Sequence, residues 1–199
     1  MKILVVLAHP SERSFNYAIA QTTVNALTRL GHGVVFHDLY LEEFDPVIRP
    51  EEIASDGEVD ENVKRHCAEL ASADGIVIIH PNWWGQPPAI LKGWVDRVFR
   101  EEVAYRFEEV DGGEGVPVAL LKAKTAIVFN TSNTKQERER SHFGDPLETL
   151  WKTCIFDLCG IKNFQRRTFS AVVTSTETQR AAWLREVAEI VQKIFPTSN

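Results

Sequence analysis

Cysteine is scarce in this chain. Cys67, Cys154 and Cys159 are the only three among 199 residues, with no CxxC spacing and no even set. That excludes a disulfide-stapled scaffold and fits reduced intracellular thiols. Basic residues are also in deficit: 22 Lys+Arg against 28 Asp+Glu give a formal charge of −6. A nucleic-acid binder needs a basic face to neutralise phosphate, so that class is disfavoured. No apolar run approaches the ~20 residues that span a bilayer. The first such run, Ile3 to Ala8, is too short for a secretory signal and leads straight into His-Pro-Ser-Glu-Arg. A cytoplasmic location is therefore expected, and the sequon Asn130-Thr131-Ser132 is read as accidental. The chain contains no GxGxxG, no GxxxxGK(S/T) and no GxSxG, and its six histidines show neither HExxH nor paired metal spacing. These absences remove support for a typical dinucleotide fold, a P-loop, a hydrolase elbow or a metal centre.

What the chain has is a hydrophobic pattern that alternates between two periods. Ile3 to Ala8, Gly75 to His80 and Thr125 to Phe129 are continuous apolar runs of strand length. Val34-Val35-Phe36 and Thr168 to Val173 are weaker ones. Uninterrupted runs suit strands buried on both faces of a parallel sheet. Between them the period is helical. One stripe runs Phe15, Ala18, Ile19, Thr22, Ala26, Leu27 and Leu30, closed by Gly31, and a second is Val59, Val63, Cys67 and Leu70. Ile90, Leu91, Trp94, Val95, Val98 and Phe99 form a third. Leu147, Leu150, Trp151, Cys154, Ile155 and Leu158 form a fourth, before Gly160, and Trp183, Leu184, Val187, Ile190, Val191 and Ile194 a fifth. Strand and helix alternating five times predict an α/β fold: a doubly wound five-stranded parallel sheet with helices on both faces. At roughly 100–200 residues per domain, the chain is read as one domain.

Two segments stand outside this alternation. Leu39 to Asp60 is acidic and broken by Pro46 and Pro50, and predicts a long surface excursion. Glu101 to Leu121 carries Asp111-Gly112-Gly113-Glu114-Gly115 and predicts an inserted loop or hairpin. Asp96, Arg97 and Arg100 predict a solvated or dimer-facing surface, and the mixed-sign run Glu137 to Arg140 a solvated one.

Open α/β sheets bind ligands beyond the carboxyl ends of their strands. Three loops fall there. His9 to Asn16 ends at a helix N-terminus, where Ser14 serves as an N-cap or a phosphate ligand and His9 and Arg13 add donors. Pro81 to Pro88 carries Trp83 and Trp84, which suit either a flat ligand or a core-and-interface pair. Asn130 to Thr134 offers amides and hydroxyls to a polar ring edge, or forms an ordinary turn.

The strand Ile3 to Ala8 with the loop after it resembles the start of the flavodoxin-like NAD(P)H:quinone oxidoreductases, the DT-diaphorase group. So does the long segment Pro81-Asn82-Trp83-Trp84-Gly85-Gln86-Pro87-Pro88 onward to Phe99, and the stretch from Phe143-Gly144-Asp145-Pro146 to Cys159-Gly160. Potassium-efflux ancillary flavoproteins and small stress-response quinone reductases are similar too. The resemblance implies a homodimer with one flavin, FMN or FAD, per subunit, NAD(P)H as reductant and a quinone-like acceptor. It implies that His9, Ser14, Phe15 and Asn16 hold the flavin phosphate or pyrophosphate. Pro81, Asn82, Trp83, Trp84 and Gly85 would line the ring, and Asn130, Thr131, Ser132 and Asn133 its pyrimidine edge. The group's Tyr and His after the last loop have no clear counterpart: Thr134 to Ser141 holds no Tyr, and His142 is offset by one, with Phe143 in the expected place. The hydride chemistry belongs to the flavin, so turnover does not require that relay. The alternative function is that of a flavin-binding regulatory subunit of a membrane transport protein. In the dimer so implied, Trp94 lies close to the partner's active site.

Overall fold

The computed structural model describes residues 1–54, 56–108 and 115–197. In chain order the elements are β1 (Lys2–Leu7), α1 (Phe15–Arg29), β2 (Gly33–Asp38), α2 (Glu61–Ser72), β3 (Gly75–Pro81) and α3 (Ala89–Val98). A short ribbon follows, β4 (Tyr105–Glu108) antiparallel to β5 (Val116–Ala119). The tip residues Asp111 to Glu114 lie outside the described residues. The chain continues through β6 (Thr125–Ser132), α4 (Gln136–Phe143), α5 (Pro146–Glu148), a π-helical segment (Thr149–Asp157), β7 (Asn163–Ser170) and α6 (Glu177–Ile194). Among the described residues no helix is long and apolar enough to cross a membrane.

The main sheet is parallel throughout, ordered β2-β1-β3-β6-β7. Strand order reverses at β1 and β3, which opens a crevice at their carboxyl ends. The continuous apolar runs behave as expected, because alternate residues enter different cores. Ile3, Val5, Val77, Ile79 and Phe129 pack with residues of α1 and α6, whereas Leu4, Val6, Ile76, Ile78 and Val128 pack with residues of α2, α3 and the π-helical segment.

Several expectations need correction. The last strand begins at Asn163, five residues earlier than the apolar run at Thr168 suggested, and Val172–Thr174 form a 3₁₀ turn instead. Arg166 and Arg167 hid the strand. Both are neutralised on it: Arg166 by Asp145 and Glu148, and Arg167 by Glu186, with its guanidinium 4.6 Å from the Phe169 ring centroid. The fourth helix is wound as a π-helix over Thr149–Asp157, so Cys154 turns outward while Trp151 and Phe156, five residues apart, stack with centroids at 5.6 Å.

The excursion after β2 is anchored by Arg97, with Arg100 donating to the Ala54 and Gly57 carbonyls beside it. Arg97 was expected on a solvated or dimer-facing surface; within its own chain it is 2% exposed. Its guanidinium grips Glu52 through Nε at 2.9 Å and Nη2 at 2.5 Å, Asp60 at 2.8 Å and the Asp45 carbonyl at 2.6 Å. The planar fork suits this bidentate capture, and loss of the charge would strand a buried carboxylate. Trp94 is likewise core, fully buried within its own chain, which removes the sequence argument that placed it at a partner's site. Its indole N–H donates to His66 Nδ1 at 3.1 Å. The ring proton of His66 is therefore on Nε2, aimed at Glu42 3.3 Å away. His37 bridges Glu42 at 2.8 Å and Glu69 at 2.7 Å. Burial opposes the Glu42 charge, but hydrogen bonds and electrostatic attraction from both imidazoles outweigh it and draw its pKa down to about 2. A metal at this cluster would need the lone pair that the Trp94 contact removes from His66 Nε2.

Gly93 lets the excursion sit on α3. A Cβ there would lie 2.1 Å from the Pro46 carbonyl oxygen and 2.4 Å from Pro46 Cβ. Gly93→Ala should therefore destabilise the protein by about 1–3 kcal/mol, against the gain of roughly 1 kcal/mol that alanine gives an unhindered helix position. Urea denaturation measures this, and a variant as stable as the parent would show that the contact is soft.

Candidate functional site

The site is built on a buried histidine. His80, fully buried near the end of β3, donates from Nδ1 to the Pro81 carbonyl at 2.8 Å. Its Nε2 is therefore the acceptor, and it receives the Asn130 amide at 2.8 Å and the Trp151 indole at 3.0 Å. Burial, reinforced by the Arg166 charge and resisted by the Pro81 contact, lowers its pKa to about 4. The amide oxygen of Asn130 then faces Arg166 Nη1 at 3.2 Å. Asn130 was expected at a ligand's edge; its side chain instead lies under the floor, committed to His80 and Arg166.

Above this floor, the loop after β3 makes a two-residue hairpin. Trp83 and Gln86 exchange two backbone hydrogen bonds of 3.0 Å, with Trp84 at φ 56° and Gly85 at φ 74°. Paired left-handed residues define a type I′ turn, which a bulky residue such as Trp84 adopts only under constraint. The constraint is local. Gly85 N–H donates to Asn82 Oδ1 at 2.9 Å, and a Cβ on Gly85 would lie 2.8 Å from Pro146 Cγ. The turn leaves Trp83 42% exposed and Trp84 completely so. Neither is a core residue.

These side chains border a cavity of about 490 Å³. Pro81, Asn82, Trp83, Trp84 and Gly85 form one wall, Thr131, Ser132, Asn133 and Thr134 another, and Glu139, Phe143 and Pro146 close it. Glu139 and Phe143 were not anticipated as lining residues. They lie four residues apart on α4, one face of a helix that the mixed-sign charge run concealed. His142 points elsewhere: it is exposed and pairs with Ser141 Oγ at 2.8 Å, so Phe143 takes the place at the cavity.

The first loop lies beside this cavity. Ser14 caps α1, its Oγ accepting from Tyr17 N–H at 3.1 Å. The N–H groups of Phe15 and Asn16 in that first turn have no intrahelical partner, so they can meet an anion. Asn16, 2% exposed, donates to Thr131 Oγ1 at 2.8 Å, while its Oδ1 is buried without a partner. His9 Nδ1 accepts from Ser11 N–H at 3.0 Å, and burial holds the pKa of His9 below the usual imidazole value. A neutral His9 keeps its N–H donor on Nε2, and its ring lies 6.5 Å from that of Trp83. Phe15 packs against Phe169 and Trp183, with Ser14 and Phe15 bordering a separate, shallower depression shared with Arg13 and Arg180.

Comparison with known proteins agrees with this architecture. Residues 1–194 match a family described as having a flavodoxin-like fold. An uncharacterised NAD(P)H oxidoreductase of Haemophilus influenzae is 32% identical over 196 residues, covering 96% of this chain and 95% of the relative. The NAD(P)H dehydrogenase (quinone) 1 of Rattus norvegicus is 30% identical over 183 residues, covering 81% of this chain; the chain spans 65% of that longer protein. An FMN-dependent NADH-azoreductase of Bacillus anthracis, solved in complex with FMN, shares the fold at a TM-score of 0.78 and 16% identity, with 96% and 98% of the two chains covered. The chain belongs to the flavodoxin-like family of NAD(P)H oxidoreductases.

His80 predicts an acid sensitivity. Between its ordinary pKa of 6.5 and its folded value of about 4, the unfolded chain binds a proton that the folded chain refuses. Stability from this group is therefore complete above about pH 6.5 and falls as pH drops toward 4, by about 3 kcal/mol in total. Denaturation midpoints across that range should show a shallower acid slope in His80→Asn than in the parent. Equal slopes would show that His80 titrates normally.

Proposed function

We propose that this protein is a flavin-dependent NAD(P)H oxidoreductase that reduces quinones or similar flat acceptors by two electrons. The observation that carries this reading is the cavity at the carboxyl ends of β3 and β6, walled by an exposed tryptophan pair and joined to a helix N-terminus through the Asn16–Thr131 hydrogen bond. The residues fit a flavin. Ser14 and the free N–H groups of Phe15 and Asn16 would take its phosphate, with His9 Nε2–H as a further donor. The orphaned Asn16 Oδ1 needs a hydroxyl donor, which a ribityl chain supplies. Pro81 to Gly85 and Thr131 to Asn133 would flank the ring, with backbone groups at its polar edge. Asn130 supports the floor from below.

When bound, the flavin supplies reversible two-electron chemistry between reduced nicotinamide and acceptor. The chain's own residues bind, orient and exclude water. Trp83 and Phe143 present apolar surface, and the His80 network keeps the floor rigid. We also read the protein as a C₂ homodimer. Trp84 fully exposed and Phe143 55% exposed at a cavity mouth form an apolar rim that a second copy would cover. Donor and acceptor would use the one cavity in turn.

The test is titration with FMN and with FAD, followed by steady-state oxidation of NADH and NADPH with a neutral quinone. Binding at micromolar flavin and parallel double-reciprocal lines are expected. Ser14→Asp places a negative charge beside the phosphate while keeping a good N-cap, and should weaken flavin affinity at least about tenfold. No binding by the parent protein, or no change in this variant, would contradict the assignment. The mass of the released cofactor decides between FMN and FAD.

A further inference from the structure

We propose that Glu139 makes the cavity selective by charge: it admits neutral or cationic ring acceptors and turns away those bearing a sulfonate or carboxylate. The inference rests on the function proposed above, because it concerns which acceptor that site takes. Glu139 is 8% exposed and projects from α4 onto the cavity wall. One oxygen, Oε1, accepts from Asn82 Nδ2 at 2.9 Å. The orientation of that amide is fixed independently, since Asn82 Oδ1 already accepts the Gly85 N–H. Glu139 Oε1 is thus committed to holding the Trp84–Gly85 turn. Its other oxygen has no hydrogen bond among the described residues, yet it is not among the atoms sealed from solvent without a partner. Because Glu139 borders the cavity, we place this oxygen toward it.

Among the described residues no other lining residue carries a formal charge; the rest are Trp, Phe, Pro, Gly, Asn, Thr and Ser. Nor, among the described residues, is a cation paired with it. Arg166 is spent on Asp145 and Glu148, Arg140 leans toward Asp145 at 3.9 Å, and among the described residues no Lys or Arg forms a salt bridge with Glu139. An uncompensated carboxylate on a largely apolar wall acts through a low effective dielectric, so a like charge several ångströms away is repelled by a factor of about ten or more. The dihydronicotinamide ring is neutral and presents amide N–H donors, which a free carboxylate oxygen accepts. The same group therefore accommodates the neutral reducing ring while filtering the acceptor.

The experiment measures binding to the oxidised, flavin-loaded protein without NAD(P)H, by quenching of tryptophan fluorescence. The probes are 1,4-naphthoquinone and its 2-sulfonate. In the parent the sulfonate should bind at least about tenfold more weakly. In Glu139→Gln, which keeps an acceptor for Asn82, the ratio should collapse to about threefold or less; Glu139→Asp, which keeps the charge, should retain discrimination. A sulfonate that binds the parent as tightly as the neutral quinone overturns the proposal, and that arm stands even if Glu139→Gln fails to fold. A ratio that survives in folded Glu139→Gln overturns it too. Absence of NAD(P)H oxidation with a neutral quinone would instead remove the proposed function, so the two failures are read separately.

Discussion

The neutral imidazole of His80 is the constraint on which the rest of the site depends. Held below its ordinary pKa by burial, it offers one donor and one acceptor, and both are used. The acceptor dictates which way the Asn130 amide points. That amide then presents its oxygen to Arg166, and Arg166 draws in Asp145 and Glu148 at the start of the π-helical segment. Pro146, between those two acids, becomes a cavity wall and the ceiling under which only a glycine at position 85 fits. One ring thus links β3, β6, β7 and the π-helix. Protonating it would leave a buried charge and break two hydrogen bonds together.

On this floor the loops can be shaped for ligand contact instead of packing. The Trp84–Gly85 turn is conformationally costly and exposes a large apolar ring, an arrangement that stability alone would not favour. It persists because Asn82 clamps the turn and Glu139 clamps Asn82. Glu139 thereby links the shape of the tryptophan wall to the charge of the cavity. The acidic excursion is held by a different device: Arg97 draws Glu52 and Asp60 onto α3.

The fold was legible because both signals it uses are local. Strands buried on two faces give unbroken apolar runs, and the helices between them give stripes of the right period. Edge strand β7 was misplaced because its arginines are neutralised only by distant partners, Asp145, Glu148 and Glu186. Arg97 and Glu139 misled for the same reason: a charged residue looks solvated until the fold supplies its counter-ion or amide. The two tryptophans of the hairpin were recognisable, since no single core could hold both. The role of Asn130 was not, because its partners lie 50 and 36 residues away. Trp94 showed the opposite error, an aromatic assigned to an interface when His66 and the core had already claimed it.

A structure of the flavin-loaded protein tests the central assignment most directly. The phosphate should lie at the N-terminus of α1 beside Ser14, with the ring between the Trp83–Gly85 turn and the Thr131–Asn133 loop, and with a hydroxyl on Asn16 Oδ1. A flavin ring seated in the depression beside Arg13 and Arg180, or a phosphate remote from Ser14, would contradict it.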